Sequence, residues 1–154
     1  MEFYKNFIYD GSMEIWQELG NGEKMILAFV VAWAIAQVSK IIIALIKEGD
    51  IKSAMKTIFR SGGMPSGHAA AMMALTVSLG ALEGIRTPLF AAVLAITGVV
   101  IYDACNVRYA VGENAKILKD LSDKDVQVTE GHTVLQVIVG SAIGVVVGLI
   151  VGFC

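Results

Sequence analysis

MILAFVVAWAIAQVSKIIIALIK, residues 25–47, is the stretch on which the reading of the fold turns. It holds 23 residues and one charge before its end, Lys40. About 20 predominantly apolar residues let a helix cross a hydrocarbon core. Three more apolar stretches follow. Residues 66–83 open with Ser-Gly-His and run apolar to Leu82. Residues 88–105 would make a helix about 27 Å long, just enough to span. Residues 133–154 are apolar except Thr133, Gln136 and Ser141. Pro65 and Pro88 fall at helix starts, where a missing N–H costs nothing. Thr87 is placed to cap the third helix. The pattern predicts an all-α integral membrane bundle of four transmembrane helices, a single domain over residues 1–154.

Composition agrees. The chain is 56% hydrophobic before its 16 Gly are added, and 17% charged. Soluble domains sit near 45–50% with Gly included and carry roughly 25% charge. A soluble monomer, a disordered chain and a collagen-like repeat are all excluded. The net charge of -2 offers no basic face for nucleic acid. Cys105 and Cys154 show no metal-ligand spacing. The spans place them at opposite membrane faces, too far apart to bridge.

The first 24 residues are acidic, unlike a signal peptide. Phe3, Tyr4, Phe7, Ile8, Ile15, Trp16 and Leu19 recur at helical spacing, which predicts an N-terminal interfacial amphipathic segment. Between helices three and four, Val107, Ala110, Val111, Leu118 and Leu121 predict a cytoplasmic amphipathic helix. Counting spans puts the 48–65 and 106–133 loops on one side. That side holds Lys47, Lys52, Lys56, Arg60, Arg108, Lys116, Lys119 and Lys124; the other holds Lys5, Lys24 and Arg86. The bias places the two loops in the cytoplasm of a multi-pass plasma-membrane protein. In the last helix Gly140, Gly144, Gly148 and Gly152 form one stripe where another backbone can approach. It fits packing inside the bundle or a homo-oligomer.

Polar residues in lipid are costly and usually purposeful. Gln37 and Lys40 share one face of the first helix. Asp103 lies near the end of the third, with Arg108 just beyond. A bland alternative is an internal Lys40–Asp103 ion pair holding two helices together. The chain's two His argue for more. His68 follows Pro65-Ser66-Gly67 and His132 follows Glu130-Gly131, each at a helix start on the same side. Helix starts offer unpaired N–H groups and partial positive charge, which suit phosphate. Lys40, Lys52, Lys56, Arg60 and Arg108 are the nearby cations. The pattern calls for a nucleophile and a proton donor around a phosphate.

Ser61-Gly62-Gly63-Met64-Pro65-Ser66-Gly67-His68 resembles the second motif of the type 2 phosphatidic acid phosphatase superfamily. With Gln37-x-x-Lys40, Asp103, Val107-Arg108, Gly112, Ala115, Leu118 and Gly131-His132-Thr133, the chain is more closely similar to its divergent branch, the acid phosphatase/vanadium-dependent haloperoxidase-related family. The resemblance implies metal-independent hydrolysis of a phosphate ester, with no cofactor. It implies that His132 attacks phosphorus and becomes a phosphohistidine, and that His68 protonates the leaving oxygen. Ser66 and the Gly67 amide would hold phosphate oxygens, with Gln37 and Arg60 beside them, and Lys40 and Arg108 would balance transition-state charge.

The chain departs from the superfamily in three places. The first motif, K-x6-R-P, is absent. The third-motif Arg position, six before His132, is Val126, so the cation role passes to Arg108. Gln136 stands where the motif has Asp. One turn on, Gln136 can accept from Nδ1–H and fix the tautomer, with Asp103 supplying charge. The expected activity is a lipid phosphatase acting on phosphatidylglycerophosphate or phosphatidic acid. Undecaprenyl pyrophosphate hydrolysis and a non-catalytic lipid-phosphate binder or transporter are the alternatives.

Overall fold

The computed structural model of the chain describes residues 16–56, 62–121 and 131–154. Among them all regular structure is helical. Helix α1 runs Asn21–Glu48 and a short α2 runs Ile51–Lys56. Helix α3 is Gly67–Leu82 and α4 is Pro88–Tyr102. A π-helical turn, Asp103–Val107, leads into α5, Arg108–Leu121, and α6 is Val134–Phe153. Three stretches are long and apolar enough to cross a membrane: Asn21–Lys47, Pro88–Leu121 and Val134–Phe153. Helix α3 has 16 residues, about 24 Å, and is shorter than the stretch expected over 66–83.

The ends follow from local chemistry. Gly49, at φ 69°, closes α1 in the left-handed region that a Cβ disfavours, and its N–H donates to Leu45 O. The Ala69 N–H donates to Ser66 Oγ and the Phe90 N–H to Thr87 Oγ1, so both residues cap their helices. At α6 the Gln136 N–H donates to Thr133 Oγ1 while Gln136 Oε1 accepts from Thr133 N–H, a reciprocal cap.

Helix α3 is the centre of the molecule, packed on α6, α1 and α4. Small residues make this possible. Ala28, Ala32, Ala36 and Ala44 form a buried row along α1 at four-residue spacing. Position 40 completes the row, so Lys40 also points inward, 7% exposed. On α6 a Cβ at Gly140 would strike the Ser66 carbonyl, at Gly144 the Ala70 carbonyl and at Gly148 the Ala74 carbonyl, while one at Gly152 would strike the Ala81 side chain. The stripe is therefore filled by α3 of the same chain. Of the two arrangements expected for the Gly140, Gly144, Gly148 and Gly152 face, packing inside the bundle is the one this chain makes. Helices α3 and α4 are joined by a buried bond between the Thr76 and Thr97 hydroxyls, 2.8 Å. Large side chains point the other way. Ile26, Val30, Val38 and Ile42 on α1, Ile96 and Val99 on α4, and Leu135, Ile138 and Ile150 on α6 are exposed. Small residues inside and large apolar ones outside is the arrangement of a bundle surrounded by lipid, where close backbone packing holds the helices together.

The third predicted helix does not end at Cys105. From Pro88 to Leu121 the chain is one helical rod of 34 residues, about 51 Å long. Its irregularity is the π-helical turn, where the Arg108 N–H donates to Asp103 O, five residues back. In an α-helix positions five apart lie about 140° apart around the axis. The π turn brings them together, and Arg108 Nε donates to Asp103 Oδ2 at 2.6 Å. The bland alternative of a Lys40–Asp103 pair is thus not formed: Asp103 is taken by Arg108, and Lys40 makes no ion pair among the described residues. Of the expected N-terminal segment, residues 1–15 lie outside the described residues. Trp16 packs against the small-residue core with Lys24 over its ring at 5.2 Å.

Candidate active site

His132 sits just before α6 and is 4% exposed. Its backbone N–H donates to Ala104 O at 3.1 Å, a carbonyl inside the π turn. The Arg108 N–H that an α-helix would direct to Ala104 O goes to Asp103 O instead. The π turn thus provides the acceptor on which His132 is docked. Gly131 makes the approach possible, since a Cβ there would meet the backbone of Tyr109 and come within 2.6 Å of the Arg108 carbonyl carbon.

The ring is fixed from the other side. Nδ1 lies 3.1 Å from Gly63 O and 3.3 Å from Gln136 Oε1. A backbone carbonyl can only accept, so Nδ1 carries a proton and donates. In the neutral ring Nε2 is then left with its lone pair. The 62–66 loop reaches this place because Gly62 and Gly63 both adopt positive φ, 97° and 83°. The Met64–Pro65 peptide is cis. The Ser66 N–H donates to Gln136 O at 3.0 Å, tying the loop to the first turn of α6.

The first turn of α3 presents His68, which is exposed. Ser66 is different. It is fully buried, its hydroxyl caps α3 and its N–H is already taken. Its hydroxyl and N–H are thus both engaged within the protein. Gly67 is buried where α1 passes: a Cβ there would lie 3.2 Å from Gln37 Nε2 and 3.5 Å from Trp33 Cδ1. Gln37 Oε1 is buried without a partner among the described residues. The Lys40 stem runs beside Gly63, with Cε 3.7 Å from where a Cβ would stand.

His68 and His132 lie within electrostatic range of each other and of Lys40. His68 also feels Arg108 and Asp103. The structure thus gathers Gln37 and Lys40 of α1, Gly67 and His68 of α3, Asp103 of the π turn, Arg108 of α5, and His132 and Gln136 at the start of α6. Burial holds the His132 pKa below the ordinary histidine value, against the opposite pull of the bonds to Gln136 and Gly63. Arg60 lies outside the described residues. Sequence reasoning missed the Gly63 and Ala104 carbonyls, since a backbone acceptor leaves no mark on residue type. The paired glycines before Pro65 were the one signal that this loop turns sharply.

The family model described as the divergent PAP2 family matches residues 21–147, which hold every described residue of this site. The chain belongs to this family. It is also 32% identical over 96 residues to the uncharacterized membrane protein YuiD of Bacillus subtilis (strain 168), a match covering 62% of this chain and 60% of that one. No solved structure matches. Together with its long apolar helices, the similarity marks the chain as a multi-pass membrane protein of the divergent PAP2 family, whose relation to the PAP2 superfamily points to phosphatase-related chemistry.

Proposed function

We propose that this protein is a membrane-embedded, metal-independent phosphatase of four spans, with α3 as the short central one, that removes phosphate from a phospholipid monoester at the cytoplasmic face. The observation that carries the reading is the His132 ring: Nδ1–H held by two acceptors, Nε2 left with its lone pair, and His68 nearby on the first turn of α3. In the first step His132 Nε2 forms a bond to phosphorus, the ester P–O bond breaks, and His68 gives its proton to the departing alkoxide. In the second, water attacks the phosphorus of the phosphohistidine, His68 takes the water's proton, the Nε2–P bond breaks to return the lone pair to His132, and inorganic phosphate leaves. Lys40 and Arg108 would offset the charge gathered on the phosphoryl oxygens. Phosphatidylglycerophosphate and phosphatidic acid, whose head groups sit at that interface, are the substrates of choice.

The test is phosphate release from a panel of lipid phosphates by the purified protein. Release should survive EDTA and fall by roughly 10³-fold or more in His132→Ala. Full activity in that variant would remove His132 from the role of nucleophile. A neutral Gln136, where the superfamily motif has an acid, favours a second reading: a lipid-phosphate binder without turnover. Saturable binding with no phosphate released would decide for it.

A further inference from the structure

A groove of about 240 Å³ opens beside His68, lined by Phe29 and Trp33 of α1, His68, Ala71 and Met72 of α3, and Val100 of α4. His68 is its one ionisable side chain, and the other five are apolar. Whole small-molecule sites run to about 300–1,000 Å³ and place several polar groups. This groove is smaller, and beyond His68 it offers no charged side chain to grip a phosphate or a polar head. Its direction is set by the helices. Trp33 and His68 lie at the level where Gly67 meets Gln37, beside the candidate site. Phe29 and Met72 lie one turn further along α1 and α3, away from it. The groove therefore begins at the residue assigned to protonate the leaving oxygen and runs toward the apolar middle of the bundle.

We infer that this groove holds one hydrocarbon chain of the substrate's leaving group, so that the protein selects its phosphate ester by chain as well as by head. The occupant is a lipid chain because the groove is continuous with the phosphate site through His68 and the rest of its lining is apolar. Trp33 and Ala71 form its walls near the site and Met72 its deeper end. The inference rests on the phosphate-site reading above, and its test separates the two.

The chain has two Trp, so Trp16→Phe leaves Trp33 as the sole fluorophore. Phosphatidic acid brominated on its chains, added to this protein in phosphatidylcholine vesicles, should quench Trp33 saturably and more strongly than equally brominated phosphatidylcholine. Filling the groove with Ala71→Phe, or from the half-buried wall with Val100→Phe, should remove that excess. It should also lower the ratio of kcat/KM for long-chain over water-soluble phosphate esters by about tenfold or more. Equal quenching by the two lipids, or an excess that persists in both folded variants, would overturn the groove. Excess quenching without phosphate release from any substrate would keep the groove and remove the hydrolytic reading. Phosphate release with no excess quenching would do the reverse.

Discussion

His132 is held at its backbone by Ala104 O and at its ring by Gly63 O and Gln136 Oε1. A nucleophilic imidazole must be neutral, and burial lowers the pH at which this one protonates. Phosphate release should therefore persist as pH falls through about 6.5, the ordinary histidine value, and decline only below it. Stability follows the same sign. Protonation favours the unfolded chain, so the contribution of the neutral, buried ring is intact above about pH 6.5 and is lost as pH falls below it. Gln136→Glu keeps the reciprocal cap with Thr133 and puts a charge beside Nδ1. The acid limb of kcat/KM against pH should move up by about one unit or more. An unmoved limb would mean that Gln136 does not govern the state of His132. The His, Lys40 and Gln136 were legible in the sequence because their chemistry lies in side chains. Gly63 and Ala104 act through carbonyls, and at Ser66 a cap and a phosphate contact use the same residue types, so the sequence could not tell them apart.

At the scale of elements, the structure rests on matched rows of small residues. The α6 glycines and the α1 alanines recur every four residues and were open to reading as packing faces. Which face met which was not, because a small-residue stripe fits a neighbouring chain as well as a neighbouring helix. A Cβ at Gly144 would stand 2.9 Å from Ala74 N and 2.8 Å from Met73 Cβ as well as against the Ala70 carbonyl. Gly144→Ala should force α3 and α6 apart and destabilise by about 1–3 kcal/mol, read as a fall in thermal midpoint in detergent. Gly98 on α4 has nothing within 4 Å of the same position. Gly98→Ala should be neutral or stabilise by up to about 1 kcal/mol, as a helix-interior glycine is relieved. Equal falls in both would show that the α3–α6 contact is not what Gly144 serves. The π turn had no signature in composition, since one surplus residue in a helix changes no pattern a periodicity can detect.

For the whole molecule, the uneven spread of cations predicts a topology that the two cysteines can test. Cys105 lies in the π turn and is part-buried, whereas Cys154 closes α6 and is exposed. If the proposed four spans and inward loops hold, a membrane-impermeant thiol reagent on intact cells should label Cys105→Ser through Cys154 and leave Cys154→Ser unlabelled until the cells are opened. The reverse pattern would turn the molecule over and move the candidate site to the outer face. The rod from Pro88 to Leu121 also ties the two ends of this topology together. A π turn is a helix with one residue too many, so its five residues act as a phase shifter between α4 and α5. Deleting any one of them would give a regular helix in which everything after the cut turns by about 100° and draws in by about 1.5 Å. Arg108 would leave Asp103, and Ala104 O would return to its own helix and release His132. The loss of a single codon at this one place would thus undo the docking of a residue nearly thirty positions further along the chain.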